Sequence, residues 1–198
     1  MITLAQRIAE GPILIDGGLS TQLETQGADV HDPLWTARIL LDDPELVTRA
    51  HRAFVDSGAE VVITASYQVS RAGFEATGRP AALADRALRA SVAAARAASP
   101  AFVAASVGPY GAISHDGAEY RGRYGRSIDE LASFHAERIA VLADAEPDLL
   151  AIETVPDADE AVALMQALDA APGIPAWLSF TAADDATLWA GQPIEDAG

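Results

Sequence analysis

Cysteine is absent from all 198 residues, and lysine is absent too: the thirteen basic residues are all arginine. The first absence removes disulfides, thiolate nucleophiles and thiolate metal sites from this chain. The second removes Schiff-base chemistry, with a carbonyl substrate or with pyridoxal phosphate, because both need a lysine amine. No apolar run reaches the roughly eighteen residues that a membrane-spanning helix requires. The opening MITLAQRIAEGP lacks the basic-then-apolar layout of a signal peptide and reads as a short amphipathic helix. The expectation is a soluble, cytoplasmic protein with no membrane partner. A formal net charge of −16 works against nucleic acid, whose phosphates call for clustered Lys and Arg. The acids are dispersed, so most of them read as solvated helix faces.

What the chain does contain is an apolar half, 50% of its residues, enough for one domain with a substantial core. Five stretches run almost continuously apolar: ILID (13–16), AEVVITAS (59–66), FVAASVG (102–108), DLLAIET (148–154) and PAWLSFT (175–181). Such runs suit parallel strands buried on both faces. Helical patterns lie between them. Asp43–Asp56 opens with Pro44 and stops before Gly58; Pro80–Ser99 is Ala-rich and ends at Pro100. Ser127 with Glu130, and Asp157 with Glu160, have the spacing of capping boxes. The alternation of strand and helix implies a parallel sheet with right-handed crossovers. It suits a (β/α)8 barrel or a doubly wound open sheet, both of which place ligands at strand C-terminal ends. No G-x-G-x-x-G or Walker motif follows a strand, which disfavours a nucleotide site. Five strands fall short of the eight that a closed barrel needs.

Residues able to do chemistry sit at those strand ends. Asp16 and Glu153, from the first and fourth strands, form a carboxylate pair able to act as acid and base, bind a hard metal, or grip an ammonium group. Against this, Asp16 followed by Gly17 and Gly18 also suits a plain turn, and Glu153 a helix-dipole role. The long loop GPYGAISHDGAEYRGRYGRS offers Arg121, Arg123 and Arg126 as ligands for a carboxylate, or as solvated arginines, with Tyr110, Tyr120 and Tyr124 as lid or wall. The histidines are scattered: His51 and His135 fall within helices as surface or packing residues, while His31, ahead of Trp35, and His115 complete no metal motif.

In order along the chain, LIDGGLSTQLE (14–24), HDPLWTARIL (31–40), ITASYQ (63–68), SVGPYGA (106–112), DGAEYRGRY (116–124), FHAERIAVL (134–142), LAIETVPDADEA (150–161) and WLSFT (177–181) resemble the homocysteine S-methyltransferases. The resemblance is to the branch that uses S-methylmethionine or S-adenosylmethionine. It covers essentially the whole chain and implies a (β/α)8 barrel that transfers methyl from a sulfonium donor to the thiol of homocysteine, giving methionine. It implies that Asp16 and Glu153 hold the amino group of homocysteine, that Gly17 and Gly18 let backbone approach it, and that Ser66 and Gln68 form pocket wall. It also implies zinc, which holds the thiol as thiolate on three cysteines. This chain departs from the pattern there, having no cysteine and ending at AGQPIEDAG, before the sixth strand. The expectation is one domain over 1–198, an incomplete barrel with about five parallel strands, no catalytic or metal residue of its own, and self-association through unclosed edges. Two other readings stand beside it. One is a non-catalytic relative that binds an amino acid or a partner chain. The other is a barrel lyase or hydrolase using Asp16 and Glu153 on Mg2+.

Overall fold

Strands whose residues alternate between two apolar environments form a four-stranded parallel sheet in strict chain order: β1 (Val61–Ile63), β2 (Phe102–Val107), β3 (Leu149–Val155) and β4 (Ala176–Phe180). This computed structural model describes residues 2–29, 34, 36–114 and 116–197. The helices are α1 (Leu4–Glu10), α2 (Leu19–Thr25), α3 (Thr36–Asp42), α4 (Pro44–Asp56), α5 (Arg71–Ala76), α6 (Ala82–Ala97), α7 (Ile128–Ala143) and α8 (Ala158–Ala167). A doubly wound sheet reverses its strand order at a switch point, whereas this sheet never does. The architecture is therefore part of a barrel, wound in one direction and left open.

The expected first strand is the exception. Ile13–Asp16 is reduced to an isolated parallel bridge between Ile15 and Val61, so the sheet has four strands rather than five. The physical cause is that the Ile63 N–H, which would continue the ladder, is taken by the Asp16 carboxylate. Leu14 and Asp16 exchange backbone bonds with Glu60 and Val61, while Leu14 and Ile15 remain about half exposed (56% and 49%).

Alternation sorts the core into two layers. Val62, Val103, Ala105, Val107, Leu150 and Ile152 face the helices and pack with Leu88, Ile139, Leu142 and Leu164. Val61, Phe102, Ala104, Leu149 and Ala151 face inward, with Ile13 and Trp177 partly buried against them. At the strands' N-terminal ends this inner layer opens into a cavity of about 950 Å3, lined by Leu4 and Ile8 of α1 together with Phe102, Leu149 and Trp177. Among the described residues no helix is long and apolar enough to cross a membrane.

Local signals set the helix starts. Asp43 caps α4 by accepting from the Leu46 N–H, with Pro44 at the first helical position. Ser127 and Glu130 make the full reciprocal capping box of α7. Asp157 and Glu160 do not. Asp157 caps α8 through the Asp159 N–H, but Glu160 turns into the core toward α7 instead of back to the cap. Ser127→Ala removes one partner of the α7 box and is expected to cost about 1 kcal/mol in urea unfolding. An unchanged midpoint would show that the box contributes nothing.

Candidate functional site

On β2 and β3 the inward positions become polar only at their C-terminal ends, after Ala104 and Ala151. There Ser106 and Glu153 meet, and the Ser106 hydroxyl donates to Glu153 Oε1 at 2.5 Å. They help line a cavity of about 250 Å3 whose wall also includes Gly17, Thr64, Tyr67 and Gln68. Burial pushes the Glu153 carboxyl above the usual range. The Ser106 hydrogen bond opposes this, and the nearby charge of Asp16 adds to it.

Asp16 stands beside the cavity rather than in its wall. Its Oδ2 accepts the Ile63 N–H at 2.9 Å, and its buried Oδ1 has no partner within the protein. His51 of α4, wholly buried, brings Nδ1 to 3.8 Å from the same Oδ2. Neither nitrogen of that ring has a hydrogen-bond partner. His51 is thus a packing residue that backs the carboxylate. Gly18 caps α2, and a Cβ on Gly17 would touch only Phe54, at 3.5 Å. The protein's own packing therefore makes no demand for glycine at position 17. Ser66 lies one layer behind the wall, bonding to Thr64 Oγ1 and to the Ser106 carbonyl, both at 2.7 Å. The cavity thus gathers Gly17, Gln68 and Glu153, with Asp16 adjacent and Ser66 behind.

The loop that holds this wall is fastened by Arg138 of α7. Its guanidinium is buried and donates to the carbonyls of Gly108 (3.0 Å), Ser66 (3.0 Å) and Tyr67 (2.5 Å). Burial lowers its pKa to about 10, partly offset by the negative charge of Glu160. Glu160 in turn accepts from the Tyr110 N–H at 2.6 Å and pairs with His135 Nε2 at 2.9 Å, both residues fully buried. Burial keeps His135 below its ordinary pKa although Glu160 pulls the other way. The segments that Arg138 joins approach very closely: a Cβ on Gly108 would lie 2.7 Å from the Tyr67 carbonyl oxygen, so only glycine fits. A sequence signal for this cluster exists. His135 and Arg138 occupy the same stripe of α7 as Leu131, Ile139 and Leu142, where a solvated residue does not belong.

The loop arginines serve the loop. Arg121 pairs with Asp116, Arg126 pairs with Glu130 and lies over the Tyr110 ring, and Arg123 donates Nε to the Ala190 carbonyl. None of them lines the cavity. Tyr110 and Tyr124 pack on each other as loop wall, with centroids 5.4 Å apart, and Tyr120 is half exposed. His31, Trp35 and His115 lie outside the described residues. Among the described residues no group of three or more His, Cys, Asp or Glu is placed to hold a metal ion. The donors here fit neither a zinc thiolate site nor a carboxylate cage.

Two consequences can be measured. Arg138→Met leaves three carbonyls and Glu160 without their cation, and is expected to cost about 3–5 kcal/mol in urea unfolding. A loss below about 1 kcal/mol would show that the clamp is dispensable. Glu153 has a folded pKa above its unfolded one, so it contributes most to stability below the ordinary carboxylate range and loses this as pH rises through the raised pKa. Glu153→Gln should therefore melt above the wild type near about pH 8, with the advantage gone near about pH 4. A difference independent of pH would contradict this account of Glu153.

A model of the homocysteine S-methyltransferase family matches residues 13–198. Homocysteine S-methyltransferase 4 of Zea mays is 42% identical over 96% of this chain and 61% of its own length. Homocysteine S-methyltransferase of Escherichia coli is 42% identical over 93% of this chain and 63% of its own length. The chain thus spans about three fifths of the curated relatives it matches. Among solved structures, the homocysteine methyltransferase MmuM from Escherichia coli superposes in its metallated form with a TM-score of 0.92. That superposition has 41% identity and covers 98% of this chain and 72% of that one. The apo form of the same protein gives a TM-score of 0.76, with 33% identity over 96% of this chain and 67% of that one. With its singly wound, open sheet and a polar pocket at the strand C-terminal ends, the chain belongs to the homocysteine S-methyltransferase family.

Proposed function

We propose that this chain provides the amino-acid-gripping part of a homocysteine S-methyltransferase, which moves a methyl group from S-methylmethionine or S-adenosylmethionine to homocysteine and so forms methionine. The observation that carries the reading is the pair of neighbouring carboxylates at one polar cavity: Glu153 in its wall, and Asp16 close enough to perturb it. Two buried acids with an unused oxygen suit an ammonium ion, which relieves their repulsion and accepts charge-assisted hydrogen bonds. In this reading Ser106 pins one oxygen of Glu153, and the free oxygen of Asp16 awaits the ligand's N–H groups. Gly17 brings backbone to the cavity without a side chain, Gln68 adds a polar wall, and Ser66 keeps the layer behind in place.

Zinc, when bound, would hold the homocysteine sulfur as a thiolate. Its cysteine donors are not among these 198 residues. The role proposed here is therefore confined to the amino end of the substrate. Association through the open edges belongs to the same reading, since the unpaired side of Ile13–Asp16 and the outer side of β4 both suit further strands.

Ligand-observed saturation-transfer NMR on the full chain tests this without activity. Homocysteine and methionine should both show contact, because both carry the amino end. Asp16→Asn and Glu153→Gln should each weaken that contact by about tenfold or more. Equal contact with the double variant would place the amino acid elsewhere and end the proposal.

A further inference from the structure

His51 stands where a hydrocarbon would serve packing better. It shares the buried stripe of α4 with Val47 and Ala50, and its side chain is wholly withdrawn from solvent. An imidazole carries a hydrogen on at least one ring nitrogen in either charge state, yet neither nitrogen of His51 has a hydrogen-bond partner. A buried donor without an acceptor is costly, whereas a leucine would fill the same space and leave nothing unpaired.

The two nitrogens differ in what they face. Nδ1 is the one nearer Asp16, 3.8 Å from Oδ2. A hydrogen on Nε2 has no acceptor among the described residues. At 3.8 Å the contact to Asp16 is electrostatic rather than a hydrogen bond. It is strengthened because both side chains are out of water, that of Asp16 at 2% exposure. The Ile63 N–H already donates to the same Oδ2, and Oδ1 is the oxygen left buried without a partner.

We propose that His51 is a positioning residue for Asp16. It carries a hydrogen on Nδ1, and this N–H and the Ile63 N–H together hold Oδ2, so that Oδ1 is the oxygen presented to a ligand's ammonium group. His51 touches no substrate in this role and acts through Asp16. The functional part rests on the ammonium-binding reading of Asp16. The placement of the hydrogen stands without it, and the two are measured separately.

Nitrogen-15 NMR of the ligand-free full chain distinguishes the two ring nitrogens, and the His51 signals are those missing from His51→Asn. Nδ1 should bear the hydrogen. In Asp16→Ala nothing favours Nδ1, and the signals should shift toward a mixture of tautomers. Binding is followed by saturation transfer with homocysteine. His51→Leu keeps the bulk without the donor and should weaken the contact about tenfold. His51→Asn can place an amide N–H near the position of Nδ1 and should stay within about threefold of the wild type. His51→Gln reaches toward the position of Nε2 instead; it should weaken contact as H51L does, and replaces H51L if that variant does not fold. A hydrogen confined to Nε2, or signals unchanged in folded D16A, overturns the placement. Wild-type contact in H51L or H51Q, or contact as weak in H51N as in those two, overturns the positioning role. A wild-type chain that shows no contact with homocysteine overturns the ammonium reading instead, and leaves the ligand-free signals to judge His51.

Discussion

One buried cation holds the upper end of this molecule together. The Arg138 guanidinium satisfies carbonyls that follow both β1 and β2, at Ser66, Tyr67 and Gly108. Those carbonyls belong to chain that has left the sheet ladder, where backbone groups lose their regular partners. A neutral donor would satisfy one of them; the planar fork of arginine reaches all three. Desolvating that charge costs several kcal/mol, offset only because the carbonyls and the nearby Glu160 carboxylate surround it. His135 and the Tyr110 N–H then hold Glu160. The polar wall of the cavity is thus the visible edge of a buried network running from α7 through α8 to the loops.

The same arrangement explains why an open barrel keeps an ordered site. Its helix-side core is complete: large aliphatic residues of β1, β2 and β3 interlock with α6, α7 and α8. Its inner layer is thin, with Val61, Phe102, Ala104, Leu149 and Ala151 facing space rather than a facing wall. Stability therefore comes from the outer layer, and the inner face is free to carry function at one end and an apolar opening at the other. Ser106 and Glu153 occupy the end where the Arg138 network limits movement.

On the proposed reading the site addresses only the amino end of a substrate. In the proposed role, Glu153 in the cavity wall and Asp16 beside it repel each other and favour a cation, which an α-ammonium group would supply. Nothing comparable among these residues addresses sulfur, since the chain has no cysteine and the described residues gather no metal-binding group.

Much of this was legible in the sequence. The order of strands and helices, the helix start at Pro44 and the capping box at Ser127 follow from local pattern, because periodicity and capping depend on neighbours a few residues apart. The family motifs named the fold that periodicity left open. Tertiary structure alone decided the rest, because it depends on what lies across the sheet. Ile13–Asp16 lost its strand character because the Asp16 carboxylate takes the Ile63 N–H that would extend the ladder. Glu160 left its capping box for a buried histidine, and Arg138 went inward because unpaired carbonyls were waiting there. Asp16 turned out to be tied to the Ile63 N–H and backed by His51, contacts between segments far apart in the chain. The sequence by itself determined which residues carry charge and which strand ends present it. Only the folded chain decided where each charge points, because burial and partner geometry arise between segments that no local pattern connects.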